Sequence, residues 1–159
     1  MDHKISTYQI GLFVIDSNSI FVTGGHGLVG SCVRGDHKPR SSEVNLLDFK
    51  QTLEYMQDNN IKNVVHCAAR VGGVQENMDK LGEFFYENMQ MTLNIIEASR
   101  LCGVEKMVCL LSTCIFPDTA TYPLTTDQIH MGEPHPSNYG YGYAKRMTEI
   151  NARSYRDQY

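Results

Sequence analysis

The chain has 159 residues, with 14 Lys and Arg against 18 Asp and Glu for a net charge of −4, and 42% of its residues are hydrophobic. At about 100–200 residues per domain this length gives one domain with a real core and excludes a second large lobe. Basic residues are dispersed, so there is no electrostatic footprint for nucleic acid or an anionic membrane, and a small molecule or another protein is the expected partner.

The cysteines, Cys32, Cys67, Cys102, Cys109 and Cys114, are odd in number and never spaced as CxxC. That pattern suggests neither a disulfide framework nor a zinc site, and a reducing cytosol suits it. The run Ile10 to Ile15 is too short to span a membrane and is closed by Asp16, with no small-residue cleavage site after Lys4. The sequence therefore reads as soluble, untargeted and cytoplasmic.

From Ser19 onward, short β-branched runs alternate with longer helix-period segments, the pattern of an α/β fold with a parallel sheet. Ile20 to Thr23 is the first predicted strand, running directly into Gly24-Gly25-His26-Gly27-Leu28-Val29-Gly30. The spacing of Gly24, Gly27 and Gly30 permits a sharp turn and presents bare amides at a helix N-terminus, as a dinucleotide pyrophosphate requires. A plain glycine-rich turn is the competing explanation. Residues 31–45 must then hold the rest of a helix, a turn and two strands, with Gly35 and Pro39 interrupting them. An average helix and strand alone take about 11–12 and 5–6 residues, so the second strand is expected to be largely missing.

Asp48 to Asn59 is a predicted helix with Phe49, Leu53 and Met56 on one face, and Asn63 to Ala69 a buried strand. Leu81 to Leu101 is an amphipathic helix closed by Gly103. Met107 to Leu111 reads as a strand covered on both faces, and a Pro- and Thr-rich loop leads to a last helix over about residues 141–155.

The missing second strand ordinarily carries the residue that reads the cofactor ribose. Asp48 lies at a suggestive distance from the glycines but also opens a helix, where it serves as an N-cap. Arg40 and His26 are the remaining candidates for a 2′-phosphate, against ordinary solvated roles.

Ser112, at the end of the last strand, precedes Tyr141 and Lys145, a YxxxK pair on one helix face. Tyrosine has a pKa near ~10, and a lysine one turn away is expected to lower it by favouring the phenolate. Ser112 can hydrogen-bond the same substrate oxygen and orient it for reduction by a nicotinamide. Taken alone, the pair is equally an aromatic packing residue and a solvated lysine.

With these residues in place the chain resembles the extended short-chain dehydrogenase/reductase family and, within it, the GDP-L-fucose synthases. The resemblance covers most of residues 19–159 and rests on Ser112-Thr113-Cys114-Ile115-Phe116-Pro117, on Ala68-Ala69-Arg70-Val71-Gly72-Gly73, and on the stretch Asn138 to Met147. It implies a Rossmann-like doubly wound parallel sheet of α/β class, with residues 1–18 an unmatched extension and 19–159 an NADP-binding domain. Its implied cofactor is NADP(H), bound by Gly24, Gly25, His26, Gly27, Leu28, Val29, Gly30, Arg40, Leu46, Ala68, Ala69 and Lys145. A GDP-sugar would be the substrate. Cys114 would move protons at the carbons flanking a 4-keto group, Tyr141 would protonate the C4 oxygen, Ser112 would hold that oxygen, and Lys145 would hold the nicotinamide ribose. Asn88 matches a family position near the active site and equally suits helix packing, while no metal is expected at His130 or His135.

Set against that family, the second-strand region is shortened, and the remaining strands, the sugar-binding lobe and the histidine expected to partner Cys114 find no counterpart by Tyr159. Residues 1–18 are unmatched, and Ile10 to Ile15 either fills the vacated strand edge or is disordered. Two readings follow: an NADPH-dependent epimerase/reductase or its nucleotide-binding part, and a noncatalytic module that dimerises through helices 81–101 and 141–155. The catalytic residues favour the first and the missing lobe the second. An exposed sheet edge is expected either way, with the instability that brings.

Overall fold

The computed structural model describes residues 17–159. Three parallel strands, β1 (Ile20–Thr23), β2 (Asn63–His66) and β3 (Lys106–Cys109), lie in that order, with Phe21, Val64 and Met107 in register. Four α-helices accompany them: α1 (Phe49–Asp58), α2 (Val74–Asp79), α3 (Leu81–Leu101) and α4 (Tyr139–Gln158). Helix α2 is short and carries no apolar periodicity, so the sequence does not mark it. The strands are shorter than their apolar runs: β2 stops at His66 rather than Ala69, and β3 at Cys109 rather than Leu111.

Local chemistry sets the helix ends. Asp48 is the N-cap of α1, its carboxylate accepting from the Gln51 backbone at 3.1 Å and from the Gln51 side chain at 3.0 Å. Both oxygens are engaged there, which decides against Asp48 as a ribose reader. Gly103 takes φ +63° just past α3; it donates to the Arg100 carbonyl and Val104 to that of Ser99, so two otherwise orphaned carbonyls are capped.

One sheet face packs on helices. Phe21 and Val64 are buried with Met56 of α1 and Ile95, Ile96 and Ala98 of α3, and Met107 packs against this cluster together with Ala152 and Tyr155 of α4. The other face, carrying Val22, Val65 and Val108, is covered only at its β1 end. There Gly35 abuts Val22, which is fully buried, whereas Val108 is 44% exposed. The expectation that the 107–111 strand is covered on both faces therefore fails, because the described residues put no helix over that side.

The shortened connection is as spare as its length demands. After Gly30 the chain makes a 3-10 turn, Gly30–Cys32, in place of a full helix. The second strand is reduced to one parallel bridge, where Val22 donates to the His37 carbonyl at 2.9 Å. Ser17 and Asn18 pack here too, Asn18 accepting from His37 Nε2 at 2.8 Å. The Ile10 to Ile15 edge hypothesis lies outside the described residues.

Helix α4 crosses close to the start of α3 because Gly140 has no side chain: a Cβ there would lie 2.2 Å from the Leu81 carbonyl oxygen. Gly140→Ala is expected to destabilise the fold by about 1–3 kcal/mol. By contrast Gly82→Ala, in α3 with nothing within 4 Å of the added carbon, is expected to stabilise it by about 0.5–1 kcal/mol. Urea unfolding of the two variants checks both signs.

Candidate functional site

The glycine turn is locked against the end of β2. Gly24 takes φ +64°, a left-handed backbone that glycine adopts without strain, and a Cβ on it would lie 2.8 Å from the Ala68 nitrogen. Gly27 donates to the Gly24 carbonyl at 2.9 Å, and a Cβ on Gly30 would come within 2.3 Å of that same oxygen. No residue with a side chain fits Gly24 or Gly30 without moving backbone.

A buried network ties the two strand ends. Thr23 Oγ1 lies 2.7 Å from His66 Nδ1 and accepts from the Ala68 N–H at 3.2 Å. His66 is fully enclosed; burial, and then the nearby Lys145 ammonium, hold its pKa down to about 3, so the ring is neutral. Further along, Asn88 of α3 accepts from the Arg70 N–H and donates to the Arg70 carbonyl, both at 3.0 Å. It thus fixes the loop after β2. The Arg70 guanidinium is gripped by Glu83 and Glu87 and lies over the Phe84 ring.

A groove of about 640 Å³ runs above these strand ends. Gly24, Gly25, His26, Gly27, Leu28, Val29, Gly30, Arg40, Leu46, Ala68 and Ala69 all line it, so the expected cofactor residues meet in one place, Lys145 excepted. Leu110 also lines the groove, and its carbonyl accepts from Lys145 Nζ at 3.1 Å, which puts the lysine at the groove's far end.

Beyond β3 the chain turns into the segment that carries Ser112 and Cys114. Ser112 caps the 3-10 turn Thr113–Ile115, its Oγ accepting from the Cys114 N–H at 3.2 Å. Gly142 lets α4 approach, since a Cβ there would lie 2.7 Å from the Cys114 carbonyl oxygen. The buried Arg146 clamps the same turn, donating through Nε to the Ile115 carbonyl at 2.9 Å and through a terminal nitrogen to that of Gly132 at 2.7 Å. Cys114 opens onto a smaller cavity of about 280 Å³ shared with His135 and Asn138.

Tyr141 and Lys145 share a face of α4, but the expected effect of the lysine on the phenol is not seen. Burial pushes the Tyr141 pKa up, the Ser112 hydroxyl pulls it back, and the Cys114 thiol raises it again. Lys145 is itself pushed down by burial, partly offset by Cys109 and Cys67, and its ammonium is spent on the Leu110 carbonyl. Tyr141 is consequently a neutral phenol.

Thr23, His66 and Arg146 are working residues that sequence reasoning did not single out. The one available signal was polarity inside otherwise apolar positions of a strand or an amphipathic helix.

A glycine turn between parallel strands, opening onto a groove at the strand ends whose far end is marked by the Leu110 carbonyl and Lys145, defines an α/β fold of the dinucleotide-binding type. Residues 31–159 match the model of the NAD dependent epimerase/dehydratase family, and the chain belongs to that family. It is 41% identical over 152 residues to a GDP-L-fucose synthase of Dictyostelium discoideum, covering 89% of this chain and 48% of the relative. A probable GDP-L-fucose synthase of Drosophila melanogaster is 36% identical over 151 residues, covering 88% and 47%. Among solved structures, a GDP-L-fucose synthetase from Naegleria fowleri bound to NADP superposes with a TM-score of 0.78 at 36% identity, covering 87% of this chain and 45% of that one. The chain spans about half the length of the curated relatives it matches.

The neutral, buried His66 makes acid stability testable. Its pKa is depressed on folding, so the unfolded chain binds a proton below about 6.5 that the folded chain refuses until about pH 3. Stability is unaffected above that window and falls as pH drops through it, by on the order of 1 kcal/mol per pH unit. Urea midpoints from pH 7 to pH 4 are expected to show this slope in the wild type and to lose it in His66→Asn.

Proposed function

We propose that this chain forms the nucleotide-binding part of an NADPH-dependent epimerase/reductase that converts GDP-4-keto-6-deoxy-D-mannose to GDP-L-fucose. The observation that carries this reading is the single groove that gathers the glycine loop, Arg40, Leu46, Ala68 and Ala69 and ends at Lys145, beside Ser112 and Tyr141. The relatives named for that synthesis, and the NADP-bound Naegleria structure, support it.

The residues present fit a dinucleotide. A Cβ on Gly27 would meet only the Gly24 carbonyl, at 3.2 Å, so the loop tip presents backbone to the groove as a diphosphate requires. Arg40 and His26 line the same groove and would take a 2′-phosphate, Arg40 by charge-assisted hydrogen bonds. A reduced nicotinamide bound there supplies the hydride. Tyr141, kept protonated by burial, donates its proton to the C4 oxygen, and Ser112 orients that oxygen. Cys114, on the cavity it shares with His135 and Asn138, serves one face of the proton exchange at the carbons flanking the keto group, and a second acid/base group returning a proton on the opposite face completes the inversion, which makes the chemistry that of an isomerase as well as an oxidoreductase. Lys145 holds the nicotinamide ribose.

The same reading gives a cytoplasmic homodimer paired through α3 and α4. On α3, Leu93 and Leu101 are 42% and 46% exposed, an apolar surface that pairing would cover. No described helix is long and apolar enough to cross a membrane.

Fluorescence titration with NADPH tests the nucleotide site directly. Saturable binding is expected in the wild type and none in Gly27→Val, whose side chain fills the loop. Arg40→Ala is expected to weaken NADPH about tenfold and leave NADH unchanged. A folded, monodisperse wild type that binds neither nucleotide would overturn the reading.

A further inference from the structure

We propose that Lys38 replaces the helix that ordinarily follows a dinucleotide-binding glycine loop, bracing the loop and setting a positive charge beneath a bound diphosphate. The inference rests on the nucleotide-binding reading above.

A full helix after the loop locks it through successive backbone hydrogen bonds and contributes roughly half a positive charge at its N-terminus. The 3-10 turn Gly30–Cys32 is too short to do either. Lys38 reaches the loop in three ways instead. Its Nζ donates to the Gly30 carbonyl at 3.1 Å and to the Ser31 carbonyl at 3.3 Å, capping the turn. Its stem lies flat on Gly25, where an added Cβ would come within 2.7 Å of both Lys38 Cβ and Cγ. Its carbonyl oxygen accepts from His26 Nε2 at 2.9 Å, which also fixes the proton of that ring on Nε2.

Lys38 is itself held, because its neighbour His37 bridges to β1 and Gly35 packs on Val22. The brace is therefore anchored to the sheet, as a helix would be. Its charge lies next to the groove, because the ammonium sits on the carbonyl of Gly30, a residue that lines it, and Lys38 also acts, after Lys145, against the burial that raises the Cys67 thiol.

The test uses the full chain with Lys38→Met, which keeps the stem and removes the ammonium, and Lys38→Arg, which keeps both. Without nucleotide, hydrogen exchange at the Ser31, Cys32 and Val33 amides is expected to speed up about tenfold in Lys38→Met and to return towards wild type in Lys38→Arg. NADPH and NADH are expected to weaken by the same factor, about tenfold, in Lys38→Met, because the diphosphate is common to both. Arg40→Ala, by contrast, affects NADPH alone. Lys38→Gln, which keeps most of the stem and carries no charge, is expected to behave as Lys38→Met in both measurements and keeps the test decisive if Lys38→Met does not fold. Unchanged exchange in Lys38→Met overturns the brace. Faster exchange with unchanged affinity overturns the role at the diphosphate. A wild type that binds neither nucleotide defeats the nucleotide reading itself, and this role with it, while the exchange data still report on the brace.

Discussion

The hydroxyl of Thr23 joins the ends of two strands, and the site is built around that junction. It meets His66 Nδ1 at 2.7 Å and accepts from Ala68 N–H at 3.2 Å, just where Gly24 closes on the Ala68 backbone. The glycine turn and the Ala68-Ala69 segment are thereby fixed relative to one another, and the space between them is the groove. A neutral His66 is required, since a buried imidazolium beside Lys145 would be strongly disfavoured.

The shortened connection after Gly30 shows how little of a doubly wound unit the loop needs in order to keep its shape. One bridge at His37, one 3-10 turn and the side chain of Lys38 stand where a helix and a strand would be. What the connection no longer supplies is cover for the sheet, which is why Val22 is sealed while Val108 is open. The turn after β3 is held by contacts independent of that deficit: Gly142 against Cys114, Arg146 on the Ile115 carbonyl, and Ser112 on the Cys114 amide.

The elements legible in the sequence were those written in local chemistry. Glycine spacing places the turn, Asp48 and Gly103 place helix ends, and apolar periodicity places α1 and α3. The loss of the second strand followed from counting residues. Roles that depend on distant partners were not legible. Thr23 and His66 sit 43 positions apart, and the Ile115 and Gly132 carbonyls that hold Arg146 lie 31 and 14 positions from it. The lysine of the YxxxK pair was assigned an effect on its tyrosine that spacing permits, but the Leu110 carbonyl takes its ammonium instead. Coverage of β3 could not be read from its apolar run, because that depends on neighbours rather than on the strand itself.

We propose that the groove over the strand ends is a working dinucleotide site despite the shortened connection. Amide chemical-shift mapping of the isotope-labelled chain during NADPH addition tests it most directly. Saturable shifts are expected, confined to Gly24–Gly30, the neighbourhood of Arg40, Ala68 and Ala69, and the region of Leu110 and Lys145. A well-dispersed spectrum that does not respond, or that shifts instead along the open edge of β3 and α4, would contradict it.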